Sequence, residues 1–125
     1  MPRLRSNPGA EKRRAERAGR RAETLAALYL RMKLFRILAK RFKTPVGEID
    51  IVARRGRLLV FAEVKHRKTP GAAALEAVHQ SRIARAAQWF MMSNPQFSGF
   101  DCRIDVIVLA PGHWPYHLEN AFSVS

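Results

Sequence analysis

The chain has 125 residues, 23 Lys and Arg against 10 Asp and Glu, and a formal net charge of +13. That length is about one domain with a substantial core, and 47% apolar residues argue for a globular chain and against disorder. No apolar run approaches the roughly 18 residues needed to span a bilayer, and no basic amphipathic terminus with a bulky aromatic face points to membrane binding. The first twenty residues lack a secretory apolar core, and the single Cys102 can form no internal disulfide, which together point to a cytoplasmic protein. One cysteine excludes a thiolate zinc cluster, and His66, His79, His113 and His117 lack the close spacing that would replace it. The charge excess favours a polyanionic partner, nucleic acid first, although a merely well-solvated surface has the same composition.

Residues 1–10 hold two prolines and a glycine without periodicity and read as a flexible basic tail, leaving 11–125 as one domain. From Glu11 to Lys33 the pattern is helical, and Leu25, Leu28, Tyr29 and Met32 mark one apolar face. "LFRILAKRFKT" predicts a strand stopped by Pro45, with Gly47 opening the next. A second helix is expected from Ala72 to Met92 after Pro70-Gly71, its face built from Leu75, Val78, Ile83, Ala86, Ala87 and Phe90. "NPQFSG" reads as a loop, "CRIDVIVLA" as a strand, and "YHLEN" as a short last strand after a turn at Pro111 to Pro115. The order predicts an α/β fold, a mixed central sheet with helices packed against it.

The most informative stretch is "GEIDIVARRGRLLVFAEVKHRK", Gly47 to Lys68, which reads as a hairpin. Gly56-Arg57 suits a two-residue turn, and closing it there sets Asp50 opposite Glu63. Alternation then puts Asp50, Val52, Phe61, Glu63 and Lys65 on one face, with Ile49, Ile51, Val60, Ala62 and Val64 on the other. Two facing carboxylates repel unless a cation or a proton lies between them. Oxygen ligands suit Mg²⁺ or Mn²⁺, and a lysine on the same face can orient water or offset charge developing on a phosphate. That combination is phosphodiester hydrolysis. The other reading is a surface ion-pair cluster in which Lys65 simply neutralises two acids.

Asp50, a dozen residues, then "EVK" looks like the D…(D/E)-x-K signature of restriction-endonuclease-like nucleases. With "GRRAETLAALYL", "AVHQSRIARAA", "CRIDVIVL" and "ENAF" added, the chain from Gly19 to Phe122 resembles the YraN-like family of small bacterial proteins. That family is regarded as predicted endonucleases, distantly similar to archaeal Holliday-junction resolvases. The resemblance implies their mixed central sheet flanked by helices and a metal-dependent cut in DNA, branched DNA included. It implies homodimerisation too, since resolvases cut two strands symmetrically. A nucleic-acid-binding module with the same fold and no chemistry is the alternative.

Carried over by the resemblance, Asp50 and Glu63 are the metal acids, Lys65 the signature lysine, and Glu23 an added metal acid in the first helix. Glu23 lies beside Ala26, Ala27 and Leu30, where a half-buried acid needs a partner; an ordinary solvated glutamate is the other reading. Glu48 shares the face of Asp50. Gln80 matches a polar position near the scissile phosphate, but His79 stands just before it where relatives commonly have lysine. Asp105 matches the family's strand, and beside Arg103 it also reads as a structural ion pair. Trp89 and Phe90 read as packing residues. Lys40, Arg41, Lys43, Arg54, Arg55, Arg57, His66, Arg67 and Lys68 read as a group that holds phosphates at the rim of the hairpin, while each taken singly reads as an ordinary solvated side chain.

Overall fold

The structure, a computed structural model, describes residues 8–69 and 80–122, with side chains at all of these except 80, 81 and 122. The elements run α1 (Pro8–Met32), β1 (Arg36–Thr44), β2 (Gly47–Arg55), β3 (Leu58–His66), α2 (Gln80–Ser93), a 3₁₀ turn (Pro95–Phe97), β4 (Asp101–Leu109) and β5 (Tyr116–Phe122). Helix α1 begins at Pro8, so residues 8–10 are helical where a tail was expected; proline suits a first helical turn, whose N–H groups have no intrahelical acceptor. The expected start of α2 at Ala72, with Leu75, Val78 and His79, falls outside the described residues.

Helix α1 ends where Leu34 takes a left-handed φ of 70° and the Phe35 N–H donates to Leu30 O at 2.9 Å, which closes the last turn and redirects the chain into β1. The strands lie in chain order, β1 to β5, in one five-stranded sheet. β1, β2 and β3 form an antiparallel meander; β4 joins β3 in parallel, and β5 returns antiparallel to β4. A parallel neighbour requires a crossover, and α2 lies on that path.

One helix covers each face. Ala22, Ala26, Ala27 and Leu30 of α1 pack on Ile51, Ala53, Val60, Ala62, Ile107 and Leu109. Ile83, Ala86, Ala87 and Phe90 of α2 pack on Ile49, Val52, Leu59, Phe61 and Ile104, as the periodicity predicted for that half of the helix. Phe90 is core, while its neighbour Trp89 is exposed.

Two differences from the sequence reading matter. Leu25, Leu28 and Met32 do not face the sheet; they are 54%, 52% and 65% exposed, and the alanine-rich stripe beside them is buried instead. Alanines let the helix axis approach the sheet closely, so the small stripe packs and the larger one is turned outward. Ile49 packs with the α2 cluster while Ile51 packs with α1, so strict alternation breaks between them. On β1, Arg41, flanked by the pairs Lys40↔Ile51 and Phe42↔Ile49, adopts a left-handed φ of 52° opposite Asp50. A non-glycine residue in that region bends a strand and shifts side chains between faces.

Candidate active site

The hairpin register is the expected one. Pairs run from Arg55↔Leu58 at the turn to Ile51↔Ala62, and Gly56 supplies the positive φ, 62°, that a two-residue turn needs. Beyond Ile51↔Ala62 the ladder stops, one step before Asp50 and Glu63 would pair. In place of a ladder bond, the Val64 N–H donates to Asp50 Oδ2 at 2.8 Å. Like charges in directly facing positions repel, and here the strands part while one carboxylate bridges the opening.

Asp50, Glu48, Ile49, Ala62, Glu63 and Ile83 of α2 line a narrow crevice of about 70 Å³. Glu63 Oε1 takes an ion pair from Lys65 Nζ at 3.0 Å, so these two share a face as alternation required. Its other oxygen, Oε2, is buried without a hydrogen-bond partner. Burial pushes Asp50 up to about 6; the Val64 N–H works against that shift, and the charges of Glu23, Glu63 and Glu48 add to it.

Glu23 has the partner its position demanded. Arg41 Nε donates to Glu23 Oε2 at 2.7 Å, joining α1 to β1. This hydrogen bond, with the charges of Glu23, Glu48 and Asp50 around it, pushes the Arg41 guanidinium above its ordinary value. Asp50, Glu63 and Lys65 therefore come together, Glu48 lines the same crevice, and Glu23 is near enough to be felt while being held by Arg41. Among the described residues no three His, Cys, Asp or Glu side chains are gathered to grip one ion. Gln80 opens the described part of α2, three residues before Ile83; its side chain, like His79, lies outside the described residues.

The basic residues divide in two. Lys40, Arg41 and Lys43 run alongside Ile51, Asp50 and Glu48, level with the acids. Arg54, Arg55 and Arg57 sit at the turn, about five residues or ~17 Å along the strand from Asp50. There they stack on aromatic rings, Arg54 and Arg57 over Phe100 at 4.7 and 5.1 Å and Arg55 over Phe35 at 4.3 Å. Those three fasten the hairpin tip and are not at the rim of the acid crevice.

Asp105 belongs to a separate cluster. Fully buried on β4, it receives two hydrogen bonds from Arg103 at 2.9 Å each, one from the Asn120 N–H at 2.9 Å and one from His117 Nε2 at 2.6 Å. The far nitrogen of His117 meets Lys33 Nζ at 3.0 Å. An ammonium only donates, so Nδ1 accepts and Nε2 carries the proton. Burial raises Asp105, but the bonds from His117, Arg103 and Asn120 outweigh it and hold the carboxyl below its ordinary value. Of the two readings of Asp105, this geometry is the structural ion pair. His117 is the residue whose role the sequence left unread, and Arg41, grouped there with the phosphate-holding residues, is instead the partner that Glu23 needed.

A five-stranded mixed sheet with a helix on each face and a carboxylate-bearing hairpin at its centre defines an α/β protein of restriction-endonuclease-like architecture. A sequence profile of Uncharacterised protein family UPF0102, the YraN family, matches residues 22–109, and the chain belongs to that family. UPF0102 proteins of Chelativorans sp. (strain BNC1) and Parvibaculum lavamentivorans are similar to it at 48% identity over 122 residues and 50% over 111. These alignments cover 92% and 86% of this chain and 98% and 83% of the relatives. A third, from Erythrobacter litoralis, is 52% identical over 110 residues, covering 86% of this chain and 94% of its own. No helix among the described residues is long and apolar enough to cross a membrane.

Proposed function

We propose that the protein is a metal-dependent endonuclease acting on DNA, branched DNA included, with Asp50 and Glu63 holding Mg²⁺ or Mn²⁺. The observation that carries this reading is Glu63 Oε2, a buried carboxylate oxygen without a partner, in the same crevice as an Asp50 whose charge is disfavoured. A hard divalent ion satisfies both. Mg²⁺ in particular keeps several waters and is commonly held by one or two carboxylates plus substrate phosphate, so a two-acid crevice suits it without a third protein ligand. When bound, the ion supplies Lewis acidity and a more acidic water.

Lys65, ion-paired to Glu63, is placed to orient a water or to offset charge on a phosphate oxygen. Glu23 would support the ion from the second rank, its carboxylate oriented by Arg41. Lys40 and Lys43, exposed on β1 beside the acids, would hold the polynucleotide backbone. A homodimer would allow two strands to be cut, as the resemblance to resolvases implies.

One observation favours a binding module without chemistry: Lys65 already neutralises Glu63, and among the described residues no third ligand is gathered. The deciding experiment incubates wild type, Lys65→Ala and Asp50→Ala with linear, nicked and four-way-junction DNA in Mg²⁺, Mn²⁺ or EDTA, reading cleavage and gel retardation together. Cleavage by wild type that is lost in both variants, with retardation kept, supports the enzyme. Retardation without any cleavage supports the binding module, and affinity that does not fall with salt removes nucleic acid as partner.

A further inference from the structure

Helix α1 carries two apolar stripes, and only one meets the sheet. The other, turned outward, runs through Ala18, Leu25, Leu28 and Met32 and floors a groove of about 570 Å³ whose opposite wall is the Leu109 to Pro115 segment. On that wall Trp114 is 81% exposed. Positions 18, 21, 25, 28 and 32 alternate steps of three and four residues, the seam by which one helix receives another. The rim is basic. Arg21 lines the groove, Arg17 and Arg20 line the adjoining hollow with Thr24 and Leu25, and among the described residues neither lining includes an Asp or Glu.

We propose that this groove is a docking surface for an acidic amphipathic helix of a partner protein. Leucine-like anchors would fill the groove and carboxylates would lie over Arg17, Arg20 and Arg21. Charge complementarity selects this occupant. A second copy laid antiparallel about Leu25 would set Arg17 and Arg20 of one helix against Arg31 and Lys33 of the other, and like charges so placed oppose pairing. A lipid surface requires a convex apolar face, whereas this one is walled. Tyr29, His66, His113 and Trp114 contribute rings to the lining, but the seam along α1 is Leu25, Leu28 and Met32, an aliphatic surface that fits interlocking side chains better than stacked bases. An acidic amphipathic helix meets both the aliphatic seam and the basic rim.

The test uses the full chain and a labelled synthetic peptide of about three heptads, leucine at the two seam positions and glutamate or alanine elsewhere, followed by fluorescence anisotropy. A peptide of the same composition with the leucines scattered is the control. The amphipathic peptide is expected to bind at least about tenfold more tightly than the control, a difference of about 1.4 kcal/mol, which is no more than one well-buried leucine side chain contributes. Leu25→Gln with Leu28→Gln should remove that advantage while leaving the circular dichroism melt unchanged, since both side chains are more than half exposed. Arg17→Gln with Arg20→Gln should weaken binding about threefold to tenfold at low salt, as rim charges do. Equal binding of the two peptides, or unaltered binding by the leucine variant, overturns the proposal. So does a wild-type dimer that the leucine variant dissolves, or binding of anionic phosphatidylglycerol vesicles or single-stranded oligonucleotide that only the leucine variant loses.

Discussion

Asp50 on β2 and Asp105 on β4 are both carboxylates on central strands of one sheet, and their surroundings are opposite. Asp105 has a partner at each oxygen: a bidentate arginine, a histidine and a backbone N–H, with Lys33 and Glu119 behind them. Asp50 has one backbone N–H, three carboxylates within electrostatic reach, and one nearby guanidinium, Arg41, that is hydrogen-bonded to Glu23 instead. A buried acid whose hydrogen bonds are complete needs nothing further from solution, whereas one that is short of positive charge has a use for a cation. The contrast separates an acid that joins β4 to β5 and the end of α1 from one whose charge is left uncompensated by its own hydrogen bonds.

The largest expected effect is on the satisfied side. Asp105→Asn leaves Arg103 without its counter-charge and the nearly enclosed His117 without its carboxylate acceptor, and breaking such a buried pair costs about 3–5 kcal/mol. Urea unfolding should show this loss with an unchanged slope. A loss under about 1 kcal/mol would mean the cluster is solvated and the contrast false.

On the other side the sign reverses. Asp50 has its folded pKa raised from 3.8 to about 6, so the native state binds the proton more tightly than the unfolded chain. The stability this contributes is fully present below about pH 4 and is lost as pH rises through about 6. Asp50→Asn, which keeps an acceptor for the Val64 N–H, should therefore stabilise the metal-free protein at pH 8 by about 1–2 kcal/mol and have little effect near pH 4. Melting in EDTA at the two pH values measures it, and Mn²⁺ should stabilise wild type but not the variant. An equal gain at both pH values would show that neither burial nor the neighbouring acids disfavour the charge of Asp50.

The smallest effect sharpens the boundary of the Asp105 cluster. Glu119 touches Lys33 and Arg103 at 3.5 and 3.7 Å but is half exposed. Glu119→Gln should cost under about 0.5 kcal/mol and vanish in high salt, as exposed pairs do. A cost comparable to that of Asp105→Asn would extend the buried network to the surface.

Much of the site was readable in the residues because it depends on local rules. Gly56-Arg57 set the turn, the turn set the register, and alternation put Glu63 and Lys65 on one face. Strand and helix order followed from periodicity and from Pro45, Gly47 and Gly56 as punctuation. Tertiary structure decided what periodicity leaves degenerate or what acts across long separations. Helix α1 offers two apolar stripes, and only close approach to the sheet selects the alanines. Ile49 and Ile51, which alternation puts on one face, pack against different helices. Glu23 finds Arg41 eighteen residues away, and Asp105 finds His117 twelve residues away across a strand pair. The arginines of the hairpin tip are claimed by rings brought from the α1–β1 junction and the α2–β4 connection. Spacing along a chain dictates which side chains share a face; which charges meet, and which of them remain unmet, is settled only when separate elements pack.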